Sequence, residues 1–115
     1  MKIERGISIR QPWVEQILRG TKTKEYRPVP TTIRERVFLY ASLKPGDSPA
    51  DWRQMEKSPG ELLTGRVLGT VEVTGCRWNE RRGCYEYSLE RPKRFQRPRT
   101  PSNQPQPLWW RPRFK

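Results

Sequence analysis

The stretch VFLYAS, residues 37–42, is apolar on both faces. Successive side chains of a strand point to opposite sides. A strand apolar on both must therefore lie in the middle of a sheet and be covered twice. The cover has to come from a small stock, because apolar residues make up only 32% of the 115. That suffices for one domain with one modest core. It favours a small barrel or sandwich over layered α/β.

The remaining segments fit around such a strand. In QPWVEQILRG, residues 11–20, Pro12 suits the first helical position and Glu15 the first turn. Trp13, Val14, Ile17 and Leu18 form one apolar stripe, which favours the core for Trp13 over a ring left open for stacking, and Gly20 suits a C-terminal stop. KIERGISI before this helix reads as an opening strand. TKEYR after it alternates like a strand, PVP breaks it, and TTIRER predicts a single helical turn. A second helix starts with Ser48 as N-cap, Pro49 next and Asp51 three residues after the cap. RVLGTVEVTGC is a long β pattern in which Gly69 and Gly75 mark bulges. NERRG makes a turn and CYEYSLE a further strand. The fold class is α+β, a small, mostly antiparallel β-barrel with two or more flanking helices.

Charge is distributed unevenly. The net charge is +12, yet residues 1–90 hold 16 Lys/Arg against 12 acids, and residues 91–115 hold eight Lys/Arg and no acid. A local excess of this kind points to a polyanion partner. No amphipathic basic helix accompanies it, so nucleic acid fits better than a membrane. The same last 25 residues hold six of the twelve prolines, a composition typical of disorder. They also hold Phe95, Leu108, Trp109, Trp110 and Phe114. We therefore expect residues 1–115 to form a single domain. In it, residues 91–115 are an irregular, Pro-rich basic arm that wraps the barrel, with PLWW as a short closing strand. Arg91, Lys93, Arg94, Arg97 and Arg99 then either track a phosphate backbone or belong to a solvated strap over a sheet edge.

Several chemistries are excluded. The chain has no histidine and two cysteines, Cys76 and Cys84. His-based triads and the usual metal sites are ruled out, and neither a metal nor an organic cofactor is implied. The first residues show no apolar signal segment, and no run approaches the ~20 residues of a bilayer span. A reducing, cytoplasmic setting, free thiols and a monomer are the expectations.

GTKTKEYR, residues 20–27, concentrates charge at the end of the first helix. Alternation puts Thr23, Glu25 and Arg27 on one face and Lys22, Lys24 and Tyr26 on the other. Spacing alone favours a Glu25–Arg27 pair with no ligand. The stretch nevertheless resembles the G-x-K-x-x-E-x-R signature of the ASCH domain family, through Gly20, Lys22, Glu25 and Arg27. SIRQPWVEQILRG resembles the family's opening strand and helix. VFLYAS, GTVEV and the closing YEYSLERPKRF…PQPLWW resemble its later strands. The likeness runs from about Ile7 to Trp110 and is that of a small stand-alone member of the prokaryotic or phage type.

The resemblance implies a fold similar to the PUA domain, with a cleft beside the barrel that takes RNA or a modified nucleobase. Lys22 is then a phosphate or base contact, Glu25 an acceptor for a base edge or sugar hydroxyl, and Arg27 a planar fork for phosphate. Ser8 and Arg10 lie near the same cleft. Glu72 faces either the cleft or water. The leading reading is an RNA-binding module whose cleft takes a nucleobase, nucleotide or RNA end. An alternative is a hydrolase acting on RNA or on acylated nucleosides, as some ASCH-like proteins do. There Lys22 and Glu25 would perform acid–base work, although Glu25 stands where the amidohydrolase type has a threonine. A third reading is a protein-interaction adaptor in gene expression, docking through the Pro98-to-Pro101 spacing of the arm.

Overall fold

The computed structural model describes residues 2–115. Its elements in order are β1 (Gly6–Ile9), α1 (Trp13–Arg19), β2 (Lys24–Arg27), β3 (Arg36–Ala41), α2 (Pro49–Met55), β4 (Arg66–Asn79), β5 (Cys84–Arg99) and β6 (Trp109–Trp110). All six strands join one mixed sheet in the order β2-β5-β4-β3-β1-β6. β1 and β3 run parallel, and the other pairs are antiparallel. The sheet curls strongly, but no backbone ladder joins β2 to β6 among the described residues. The small barrel expected from the sequence is thus a half-barrel, flanked by the two expected helices.

The curl originates in the long β4–β5 ladder. Its register shifts three times, between Val67 and Gly69, Thr70 and Glu72, and Val73 and Gly75. Each bulge increases local twist and bends its strand. Gly69 is needed at the first of these. A Cβ there would sit 2.3 Å from the Lys93 carbonyl oxygen and 2.9 Å from Leu18 Cδ2.

β3 is the central strand, and it is covered on both sides. Val37, Leu39 and Ala41 join the main core with Ile7, Ile9, Val14, Ile17, Val71, Val73, Tyr87 and Leu89. Phe38 and Tyr40, at the alternate positions, join Val67 and Trp110 in a second cluster on the opposite face. α1 packs on the first face. On the second, Ile3, Phe95 and Phe114 do the covering. Phe114 meets Phe38 edge-on at 5.5 Å between ring centroids, and Trp110 meets Tyr40 at 5.2 Å.

The C-terminal segment differs from the irregular arm expected. Strand β5 continues through Arg99 and pairs with β4 as far as Val67. Pro92 and Pro98 are accommodated because β2 pairs only with Tyr85–Ser88. Beyond Leu89, whose N–H donates to Thr23 O, no strand pairs with the outer edge of β5 among the described residues, so a missing N–H breaks no ladder. β6 pairs with β1. Before it, the Ser8 hydroxyl donates to the Gln106 carbonyl at 2.7 Å, and Ser8 N–H donates to Leu108 O.

Three further expectations are corrected. TTIRER forms no helical turn: Thr31 Oγ1 accepts the Ile33 N–H, and Glu35 O already accepts from Val73 N. Residues 31–34 carry no regular structure, Glu35 is bonded to β4, and Arg36 already belongs to β3. In the opening segment only Gly6–Ile9 is strand. Pro12, expected at the first helical position, is instead the N-cap of α1, which starts at Trp13; the other two caps agree with the sequence. Gly20 ends α1 in the left-handed region at φ 82, and Ser48 accepts from the Asp51 N–H. Cys76 and Cys84 are both free.

α1 is also clamped electrostatically. Arg94 on β5 grips the Glu15 carboxylate with both terminal nitrogens, at 2.9 and 2.8 Å, and Arg19 adds a bond at 2.8 Å. Burial pushes the Glu15 carboxyl up, but the bonds from Arg94 and Arg19 outweigh it and hold the group below its usual 4.5. A lowered folded-state pKa stabilises the fold above the unfolded-state value. That contribution is lost as pH falls through the folded value. Glu15→Gln should therefore melt below wild type at neutral pH, and the gap should close as the pH is taken below 4.5. A gap independent of pH contradicts the clamp. Ending the chain at Arg99 should lower the melting temperature by more than about 10 °C, since each lost buried aromatic contributes roughly 1.5–3 kcal/mol. An unchanged melting temperature would show that the tail is not packed.

Candidate functional site

The last turn of α1, β2 and the start of α2 border a cleft. Gly20 reverses the chain, and the N–H groups of Thr21 and Lys22 both donate to the Gln16 carbonyl. This turn sets Lys22 just ahead of β2. Glu25 is 6% exposed and sits at the centre. Its Oε2 accepts from Arg27 Nε at 2.9 Å and Nη2 at 2.7 Å, and its Oε1 lies 3.4 Å from Lys22 Nζ. Arg27 Nη2 also donates to the Ser8 carbonyl at 2.7 Å, tying β2 to β1 where no ladder exists. The pairing of Glu25 with Arg27 follows strand alternation. Lys22 joins them because it precedes the strand and is not bound by its alternation.

The cleft has two lobes. The first, about 520 Å³, is lined by Gln16, Lys22, Lys24, Asp51, Gln54 and Arg82. The second, about 480 Å³, is lined by Ser8, Arg10, Arg27, Ser42, Lys44 and the Pro107–Leu108 corner. Trp13, Glu25 and Tyr26 line both. Trp13 is thus half-buried at the cleft and does not belong to the core alone. Tyr26 carries the Arg82 guanidinium 3.9 Å above its ring, with Lys22 Nζ 5.2 Å away. In the first lobe the Asp51 carboxyl is held below its usual 3.8, chiefly by its hydrogen bond with Ser48, with Lys22's charge a smaller help.

Of the residues singled out in the sequence, Ser8, Arg10, Lys22, Glu25 and Arg27 come together. The Ser8 hydroxyl is engaged with Gln106. Arg91, Lys93, Arg94, Arg97 and Arg99 line neither lobe. Two of these five are ion-paired. Arg94 holds Glu15, and Arg91 bonds Glu72 at 2.6 Å and Glu90 at 3.3 Å. Glu72 also meets Arg36 at 3.4 Å and stays outside both lobes. Arg99 lies 3.7 Å over the Phe114 ring. Lys93 and Arg97 are exposed.

Asp51, Gln54, Arg82, Ser42 and Lys44 were not visible from the motif, because they arrive from α2, the β4–β5 turn and the loop after β3. Buried Glu86 was missed too. It pairs with Arg77 and Asn79 and lies 3.6 Å from Lys24. Among the described residues no helix is long and apolar enough to cross a membrane.

Comparison with known families finds a match. The family model described as the ASCH domain covers residues 7–98, well over half of the chain. No curated protein matches the chain.

Glu25→Gln should leave two cations facing a neutral amide at a buried position. A loss of roughly 1–3 kcal/mol is expected, read by urea denaturation. A stability equal to wild type would mean that Arg27 and Lys22 do not depend on this carboxylate.

Proposed function

The chain belongs to the ASCH domain family, and from that premise we propose that it is an RNA-binding module whose cleft takes a nucleobase, nucleotide or RNA end. The family is generally regarded as RNA-binding. One observation carries the reading for this chain: a buried carboxylate between two cations, flanked by the half-buried faces of Trp13 and Tyr26. A stacked base finds an aromatic ring, a hydrogen-bond acceptor and positive charge at one position. Lys93 and Arg97, exposed on the outer part of β5, supply backbone contacts outside the cleft. Arg91 and Arg94 contribute less, because each already holds an acid.

The Lys22–Glu25 contact of 3.4 Å favours a second reading, in which the same pair serves as acid and base in hydrolysis of RNA or of an acylated nucleoside. Thr23, the nearest hydroxyl in the motif, lines the first lobe. Turnover of either substrate, abolished in Lys22→Ala, would select this reading.

Filter binding with single-stranded RNA tests the first. Tyr26→Ala should weaken binding by about 1–3 kcal/mol if a base stacks there. Lys22→Ala should weaken it as well. Lys93→Ala and Arg97→Ala should each lower the log–log salt slope by roughly one. Wild-type affinity in the Lys22→Ala, Tyr26→Ala double variant would place RNA elsewhere.

A further inference from the structure

The two lobes differ in charge although they share a wall. In the first, Lys22, Lys24 and Arg82 stand against Glu25 and Asp51, a surplus of one. Lys24 is moreover engaged by Ser88 at 3.0 Å and lies near Glu86, so this lobe is close to neutral. Its amides, Gln16 and Gln54, and the Tyr26 ring suit a planar, hydrogen-bonding group. In the second, Arg10, Arg27 and Lys44 stand against Glu25 alone, a surplus of two. Arg10 and Lys44 have no acidic partner among the described residues. Both are exposed, so their charges meet solvent and not protein.

Building on the RNA-binding reading, we propose that the second lobe is a phosphate-monoester site, and that the cleft's ligand is a nucleotide with a terminal phosphate, free or at an RNA end. Its base lies in the first lobe, stacked on the Arg82 guanidinium that covers Tyr26, its sugar at the Glu25 divider, and its phosphate among Arg10, Arg27 and Lys44. Charge selects the monoester. It carries about −1.5 to −2 at neutral pH, which matches the lobe's surplus, whereas an internal diester carries one charge. Shape agrees. Pro107 and Leu108 wall one side of the lobe, and Ser8 pins that segment through Gln106 and Leu108.

Calorimetric titration decides the matter. The probes are the four ribonucleosides, their 5′- and 3′-monophosphates, and a ten-nucleotide RNA with hydroxyl, 5′-phosphate or 3′-phosphate ends. One phosphorylated form should bind at least about tenfold more tightly than its hydroxyl counterpart. Lys44→Ala should reduce that gain to about threefold or less. Lys57→Ala, which removes an equal charge at an exposed position outside both lobes, should leave the gain intact. A gain seen with mononucleotides but not with RNA identifies a free nucleotide as the ligand; a gain with both identifies an RNA end. Either outcome supports the site, and the first of them, with no RNA bound, would remove the RNA reading. Equal affinity for phosphorylated and hydroxyl probes overturns the site while leaving RNA binding in place. Binding of none of the probes overturns both. A gain that Lys57→Ala reduces as much as Lys44→Ala reflects net charge only and also overturns the site.

Discussion

A carboxylate taken out of water must find positive charge, and much of the cleft follows from that requirement at Glu25. Arg27 meets it with two nitrogens and reaches on to the Ser8 carbonyl, so one guanidinium joins the edge strand β2 to β1 across the open side of the sheet. Lys22 meets it from the turn before β2. A buried ion pair is costly to assemble and costly to break, and its net contribution to stability is small. Its value here is positional. Three side chains are held at fixed places beside Trp13 and Tyr26, and whatever enters the cleft meets them already oriented.

The same economy governs the basic surplus. Counted along the sequence, the last 25 residues are a uniform run of positive charge. Folded, they divide into residues that hold the protein together and residues left for a partner. Arg94 fixes α1 to the sheet through Glu15, and Arg91 steadies β4 through Glu72. Arg99 lies flat on Phe114. Lys93 and Arg97 remain exposed. An affinity estimated from the segment's eight cations would therefore exceed what the surface can deliver, because Arg91, Arg94 and Arg111 already face acids from outside it.

What could be read from the sequence was local. The α1 stripe, the Ser48 cap, the doubly apolar β3 and the bulges at Gly69 and Gly75 are written in residues a few positions apart, and all are found. Errors arose where a distant element decided the outcome. TTIRER forms no helical turn, and its last two residues are taken up by β4 and β3. The proline-rich segment became strand because β2 is too short to need its outer edge. In the site, the motif residues were recognisable as a group, and Glu25 and Arg27 do share a face. Lys44, Asp51 and Arg82 carry no mark of their destination, since only the folded chain brings three separate loops and helices to one opening.

The position of β6 has a consequence for how the protein is made. β1 is enclosed by β3 on one side and β6 on the other, and the Ser8–Gln106 bond spans 98 residues. A ribosome adds roughly 5–20 residues each second. For several seconds the nascent chain can complete α1 and the β3–β4–β5 meander while the outer edge of β1 stays unpaired. An open strand edge of that kind recruits other strands, and Phe38 and Tyr40 on the neighbouring strand await Trp110 and Phe114 over the same interval. The stitch on β1 is thus made late, by residues 106–110, and until they emerge the polypeptide is most exposed to its own neighbours on a polysome.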